Sequence, residues 1–527
     1  MKRINILLIL LLGALFNIYA QDASFYYKYA KKGDKEAMYN LANCYLNGTG
    51  NVSQNYSQAI VWLSKAAKKK YAPAQLKLGQ CYIYGLGVLT DYNQGVNLCL
   101  KAAEKDYPPA LYIMSYLYKG GIGVPKNLQK EMEYLYQASY LGNPDAQWQL
   151  GNYFLHGDEE HNIVENASKA FSLTKQAADQ DHPSALFNLG LCYKFGVGTS
   201  KNQSEAINAF LKSANAGNDM AQAEMGNAYL YGNGVEQNLA EAQRYIDAAI
   251  EQENGRAFNL KGDLYYYGWG VTQDYSTAAE WYKKGVEQGI SDSYSQLAYM
   301  YLSGQGVQQN YAEGFRLYKE LADAEYESGQ AGIGMCYEYG YGTTEDMFKA
   351  VEYYKKAGEQ GNGYSLQQLY SIYKQGKGII TKNTQLALQY LRKGADIKHG
   401  PSLYAMGYEY LVGEITQQDD SKALEYFNKA VEENYTFANA VLGVFYYDGE
   451  PLVKKDYNKA FQLLSKAIED PSSINENILA DVYKKLGACY RFGRGTDVNQ
   501  SLAAYYTEQA AKYGDQQSLD VVKKLRK

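Results

Sequence analysis

Reactive residues are scarce in this chain. Histidine and tryptophan each occur 4 times and proline 9 times among 527 residues, so a catalytic centre or metal site has few groups to draw on. The glycine-rich turns carry no G-K-[ST] and follow no strand-like run, which excludes a phosphate-binding loop. Two S-x-x-K matches, Ser172–Lys175 and Ser371–Lys374, lack any S-D-N or K-T-G companion. In a helical chain rich in Ser and Lys they are chance matches, and no enzyme and no cofactor is expected. No basic cluster stands out either. The formal net charge is −5, and −7 once Lys2 and Arg3 are removed with a leader. That mild acidity argues against a nucleic-acid partner and against a polybasic membrane-surface patch.

Long apolar runs are confined to the start. Lys2 and Arg3 precede the apolar stretch Ile4–Phe16, and Tyr19-Ala20-Gln21 offers a small-residue cleavage point. This is the pattern of a cleaved export signal over residues 1–20, placing the protein in the periplasm or outside the cell. About 13 apolar residues are too few to cross a bilayer comfortably, and no later run is longer, so no membrane span is expected in the mature chain.

Paired cysteines are also missing. Cys44, Cys81, Cys192, Cys336 and Cys489 fall at one register position of an internal repeat. Neighbouring copies of such a position lie about 9–10 Å apart, beyond the roughly 7 Å that a disulfide tolerates. Only Cys81 and Cys99 are placed to meet; small buried apolar side chains are the plainer reading.

What the chain has in abundance is glycine, 50 residues, at regular intervals. Gly48, Gly85, Gly121, Gly157, Gly196, Gly232, Gly268, Gly304, Gly340, Gly376, Gly413, Gly449 and Gly493 recur at spacings of 36 or 37 residues, except for one of 39 and a last one of 44. Ahead of each glycine, small and apolar residues recur with helical spacing, as at Ala37, Leu41, Ala42 and Tyr45. Behind it they recur again, as at Ala59, Trp62, Leu63, Ala66 and Ala67. Each period is therefore a helix–turn–helix, with glycine supplying the positive φ that ends the first helix. Pro73, Pro109, Pro144, Pro183 and Pro401 sit where a first-turn proline is tolerated. The residue three before each glycine is Tyr in twelve repeats and Phe154 in the other, which marks a packing position. The fold class is all-α, a solenoid of about thirteen stacked repeats.

The pattern AxxxLGxxYxxGxGV…YxxAxxWYxKAAxxG, clearest over Ala257–Gly289, resembles the Sel1-like repeat, a relative of the tetratricopeptide repeat. The resemblance covers about 37–514. It implies a right-handed α/α solenoid and an adaptor or scaffold binding a protein or peptide on the concave surface lined by the first helices. Residues 21–36 read as an N-terminal capping helix, and 515–527 as a C-terminal one with a basic tail, Lys523, Lys524, Arg526 and Lys527. Three repeats keep only one turn glycine (Gly157, Gly413, Gly449), and the last junction adds eight residues around Asp470–Asn477.

Carrying the concave positions over repeat by repeat gives Tyr39, Asn43, Tyr84, Tyr112, Tyr116, Trp148, Asn152, Phe187, Asn227, Tyr231, Tyr266, Tyr267, Tyr299, Tyr339, Tyr404 and Tyr408 as partner-binding candidates. Gln80, Phe195, Asn259, Gln367 and Tyr447 join them, charges are sparse, and about half of the rings are expected to be exposed. Rings with polar tips anchor interfaces, and amides pair with an extended backbone. The same lining suits cell-wall or surface glycan, the alternative reading. His156, His161 and His182 lie near Asp158, Glu159, Glu160, Asp179 and Asp181 and form a weak metal candidate. Their spacing matches no zinc signature, and a solvated polar turn is the plainer reading.

Overall fold

The computed structural model describes residues 22–449 and 452–525. The export-signal stretch 1–20, Arg526 and Lys527, and the side chains of Lys523 and Lys524, lie outside the described residues. Among the described residues there are 28 α-helices and no strand, only two isolated bridges. The helices form an all-α repeat solenoid in two compact bodies, divided in sequence between Leu260 and Lys261.

One repeat shows why the sequence folds this way. Asn218 caps the first helix, Asp219–Tyr231, by accepting from the Ala221 N–H, and Gly232 ends it in the left-handed region at φ 70°. The second helix, Leu239–Ile250, begins at Asn238, whose side chain accepts from the N–H groups of Ala240 and Glu241. All thirteen second helices that follow a glycine turn have Asn or Asp at this cap, from Asn55 to Asn499. Such a side chain satisfies a donor the helix start leaves open.

In most turns that keep it, the second glycine has a different cause. A Cβ on Gly306 would stand 2.2 Å from the Tyr275 carbonyl carbon, and one on Gly342 2.3 Å from the Tyr311 oxygen. The turn thus rests on the start of the preceding repeat's second helix, and only hydrogen fits there. Between helices the core is Ala and Leu, with Ala59, Leu63, Leu135 and Ala298 fully buried. In six repeats the tyrosine three before the glycine stacks on a tyrosine of its own second helix, as in Tyr118–Tyr134 (5.8 Å) and Tyr410–Tyr426 (5.7 Å).

A recurrent clasp ties neighbouring repeats. Gln252 donates to the Gly217 carbonyl at 3.1 Å and to Gln222 Oε1 at 2.8 Å. Gln360 repeats both contacts on Glu325 and Gln330, each at 3.0 Å. Lys105 does the same with the Lys70 carbonyl and Gln75.

The irregular places have local causes. The turn after Gly157 is a small hairpin in which Asp158 and Ile163 exchange two main-chain bonds of 2.8 Å. Gly157 accordingly has ψ 165° instead of a left-handed helical value. The added residues of the last junction form a 3-10 turn, Pro471–Ser473, and lengthen the next helix, Glu476–Phe492, to 17 residues where its counterparts have 13. All six cysteines are free and buried. Cys99 faces Gly79 across the helix pair, where a Cβ would lie 2.7 Å from its sulfur. Cys81 packs instead with Leu41, Leu63 and Leu78, so the one pairing the sequence left open is not made. The single helices at the ends are Ala23–Lys31 and Gln516–Leu525.

Candidate functional site

On each first helix the residues one, five and nine places before the turn glycine share a stripe, being four residues apart. In the first body the stripe is mostly half-buried. Tyr39 meets Tyr71 edge-on at 5.7 Å, and Phe187 leans on Phe210 at 5.6 Å. Tyr84 and Tyr112 are half-buried, and desolvation pushes both phenols up, Tyr84 to about 12. Tyr116, Asn43 and Gln80 are half-buried as well. Asn152 accepts from Asn188 at 2.6 Å, and Asn227 borders a cavity of about 310 Å³ with Lys194, Glu224 and Asn233. Tyr231 and Phe195 are exposed, whereas Asn259 is buried and is no lining residue.

The second body carries four of the six exposed candidate rings. Tyr267, Tyr299 and Tyr339, on three consecutive repeats, are 45%, 43% and 49% exposed. Tyr267 stacks on Trp269 at 4.5 Å and stands edge-on to Tyr266 at 4.9 Å. Tyr266 donates to Gln305 Oε1 at 2.8 Å, and burial moves its phenol up to about 12. Tyr339 lies parallel to Tyr341 at 5.6 Å, and Lys377 Nζ stands 4.7 Å over the Tyr339 ring. Tyr408 is exposed too. Tyr404 is half-buried against Phe427 and Phe437, Gln367 accepts from Ser402, and Tyr447 accepts from Arg494 at 2.6 Å. Six of the fifteen candidate rings are thus exposed, and the others pack on neighbouring side chains. Trp269, Tyr341 and Lys377 are additions to the candidates; they sit in the turns, and only their place beside each turn glycine marks them in sequence.

Off this stripe, eight, two or four places before the turn glycine, the same helices carry buried charge, and it is paired. Glu224, 6% exposed, takes Lys194 from one side and Arg256 from the other. Glu338, 3% exposed, holds Lys377 at 2.6 Å and the Tyr354 hydroxyl at 2.5 Å. Glu409 accepts from Tyr370 and Lys374, both at 2.5 Å. Lys374, of the second S-x-x-K match, also pairs with Glu414 at 2.9 Å, and Lys175 of the first with Asp179 at 2.9 Å. Both ammonium groups serve ion pairs, so neither match forms a serine–lysine couple.

The histidine trio is not brought together. His156 is exposed; His182 caps Pro183–Phe195, bonds Asp145 at 3.3 Å and stacks on Trp148 at 5.5 Å. His161 alone is enclosed, with its ring between Asp158 Oδ1 at 2.7 Å and Glu131 Oε2 at 3.1 Å. Glu131 is further held by the Tyr153 hydroxyl at 3.2 Å and Lys119 at 3.6 Å. Among the described residues no group of three or more His, Cys, Asp or Glu could hold a metal ion. The cluster pins the hairpin after Gly157 to the preceding repeat.

Stacked helix pairs with an aromatic first-helix face define an all-α repeat protein. The Sel1 repeat family matches thirteen consecutive segments, from 35–71 to 480–515, and the chain belongs to it. Proteins with this repeat are generally non-catalytic scaffolds for protein interaction. A stretch of 156 residues, 29% of this chain, is 28% identical to the chitin synthase regulator SKT5 of Saccharomyces cerevisiae; it spans 21% of that protein's length. Among solved structures, c5321, a protective antigen of uropathogenic Escherichia coli, is 27% identical over 88% of this chain and 90% of its own, with a TM-score of 0.39. A Sel1 repeat protein of Oxalobacter formigenes is 25% identical over 59% and 90%, also at 0.39.

Proposed function

We propose that the chain is an exported, non-catalytic scaffold or adaptor that binds a protein or peptide along its first-helix face, the concave side of a tetratricopeptide-like stack. The observation that carries this reading is the run of exposed rings Tyr267, Tyr299 and Tyr339 on consecutive repeats of the second body. Rings of this kind supply large contact area at small cost in conformational freedom. The yeast relative is named for regulating chitin synthase, and a role exercised on another protein fits the same reading. The basic, apolar and small-residue succession of residues 2–20 supports export to the periplasm or beyond; Met1 found intact on protein from its native cell would overturn that part.

The test replaces Tyr267, Tyr299 and Tyr339 together with Ala and crosslinks the full chain in its native envelope. Loss of the captured partner at unchanged helicity supports the site, and undiminished capture removes it. Tyr112, Tyr116 and Trp148 make a poorer test, because their half-buried rings also pack the stack. The parallel Tyr267–Trp269 platform favours one second reading, stacking against a sugar ring. Binding of purified protein to a glycan array with no protein partner present would replace the first reading with that one.

A further inference from the structure

The mild acidity of the whole chain conceals a basic end. Residues 22–110 hold eleven Lys against six Asp and Glu, a net of +5 in a chain of net −5. Their order follows the repeat. Lys28 and Lys32, Lys65 and Lys69, and Lys101 and Lys105 are i, i+4 pairs at the ends of three successive second helices, and all six are exposed. Residues four apart on a helix stand about 6 Å from each other, and neighbouring helices about 9–10 Å. The six lysines are therefore rooted in a two-by-three grid on the edge where second helices turn into first helices.

Three observations show that this grid is not the ordinary solvated edge of the repeat. Among the described residues none of the six enters an ion pair, whereas two of the six later lysines at the register of Lys65 do, Lys356 with Glu352 at 2.7 Å and Lys429 with Glu425 at 2.6 Å. At the position of Lys32, Lys69 and Lys105, later repeats carry Leu141, Gln180, Ala216, Gln252, Gln288 and Gln360. Lysine is not needed there for the clasp, since Gln252 and Gln360 make the contacts that Lys105 makes. Further lysines stand beside the six: burial, then the charges of Lys70 and Lys35, hold Lys105 below the ordinary lysine range.

Aromatic rings accompany the charge. Phe25, Tyr27 and Tyr29, on the helix that bears Lys28, are each 40% or more exposed. Lys31 Nζ lies 4.6 Å over Tyr27, Tyr27 meets Trp62 edge-on at 5.8 Å, and Lys65 Nζ lies 4.1 Å over Trp62.

We propose that this basic, aromatic-bordered edge of residues 22–110 docks the protein on an anionic lipid surface. A planar grid of lysines matches a plane of headgroups, and exposed rings beside it suit the interfacial layer. A single nucleic-acid strand would instead call for a groove with rings to stack its bases, and the grid offers none.

Purified full chain is sedimented with vesicles of 30% phosphatidylglycerol in phosphatidylcholine, and with phosphatidylcholine alone, in 0.1 M and 0.5 M salt. The expected result is binding to the anionic vesicles only, weakened by salt. Each lysine near such a surface is worth roughly fivefold in partition, so Lys32→Gln, Lys69→Gln and Lys105→Gln together lower it on the order of a hundredfold. The same three changes to Arg leave it intact. Circular dichroism checks that the glutamine variant, which copies later repeats, is folded. No binding to the anionic vesicles, or equal binding by the glutamine variant, overturns the proposal. So does tighter binding to a single-stranded oligonucleotide that the glutamine variant loses, which reassigns the grid to nucleic acid.

Discussion

Asn238 and Tyr229 are locked across the turn of their repeat. The Asn238 main-chain N–H donates to the Tyr229 carbonyl at 3.0 Å, while its side chain caps the helix that follows. The same main-chain bond joins the cap to the aromatic residue in all thirteen repeats, Tyr in twelve and Phe154 in the other, from Asn55–Tyr45 to Asn499–Tyr490. Replacing the side chain leaves this bond and removes only the cap. Asn238→Ala is expected to lower stability by about 1 kcal/mol, read as a shift in urea midpoint with partner binding unchanged.

Two glycines with similar φ should respond differently to alanine. Gly306 has φ +67° and would bring its Cβ onto the Tyr275 main chain, whereas Gly289 has φ +76° with nothing within 4 Å. Gly289→Ala then costs only the left-handed penalty, about 1 kcal/mol, as Glu325 and Lys398 already bear at equivalent turns. Gly306→Ala adds displacement of main chain, for about 3 kcal/mol or more in total. Equal midpoints for the two variants would disprove the contact argument.

Glu224 couples stability to acid. Burial pushes its carboxyl up, but the guanidinium of Arg256 and the ammonium of Lys194 more than offset this and hold it below the usual glutamate range. A carboxylate depressed in the folded state stabilises above its unfolded pKa, about 4.3. That contribution is lost as pH falls through the folded value. Glu224→Gln should lower stability at pH 7, and the difference from the parent should shrink as pH falls below about 4.3, measured by urea melts across that range.

The cysteines should stay unreactive while the chain is folded. Burial raises Cys81 to about 11 and Cys99 to about 12, so almost no thiolate is present at pH 8. A thiol reagent should label none of the six without denaturant and all six in guanidinium. Four labelled thiols under denaturing, non-reducing conditions would mean that Cys81 and Cys99 pair after all.

The register was legible because it is repeated thirteen times: glycine, tyrosine and alanine at fixed offsets leave one helix–turn–helix reading. The Asn or Asp cap was equally regular, but its pattern is shared by two residue types and is easily lost among turn residues. Exposure was harder. Tyr112 and Tyr299 occupy the same helical stripe, yet one is half-buried and the other open, because what covers a ring is the neighbouring repeat. The enclosure of His161 by Glu131, 30 residues earlier, likewise follows from stacking and not from local spacing. The lysine grid escaped notice because net charge averages a basic end with an acidic remainder.

The clasp by Gln252, Gln360 and Lys105 reaches for a carbonyl of the preceding repeat. Every residue has such a carbonyl, so this bond asks nothing of the neighbour's side chain there. Copies can therefore be duplicated, exchanged or lost in whole periods without that bond having to be matched again. Ancestry by tandem duplication is physically easy for such a chain, and its length is free to drift in steps of one repeat.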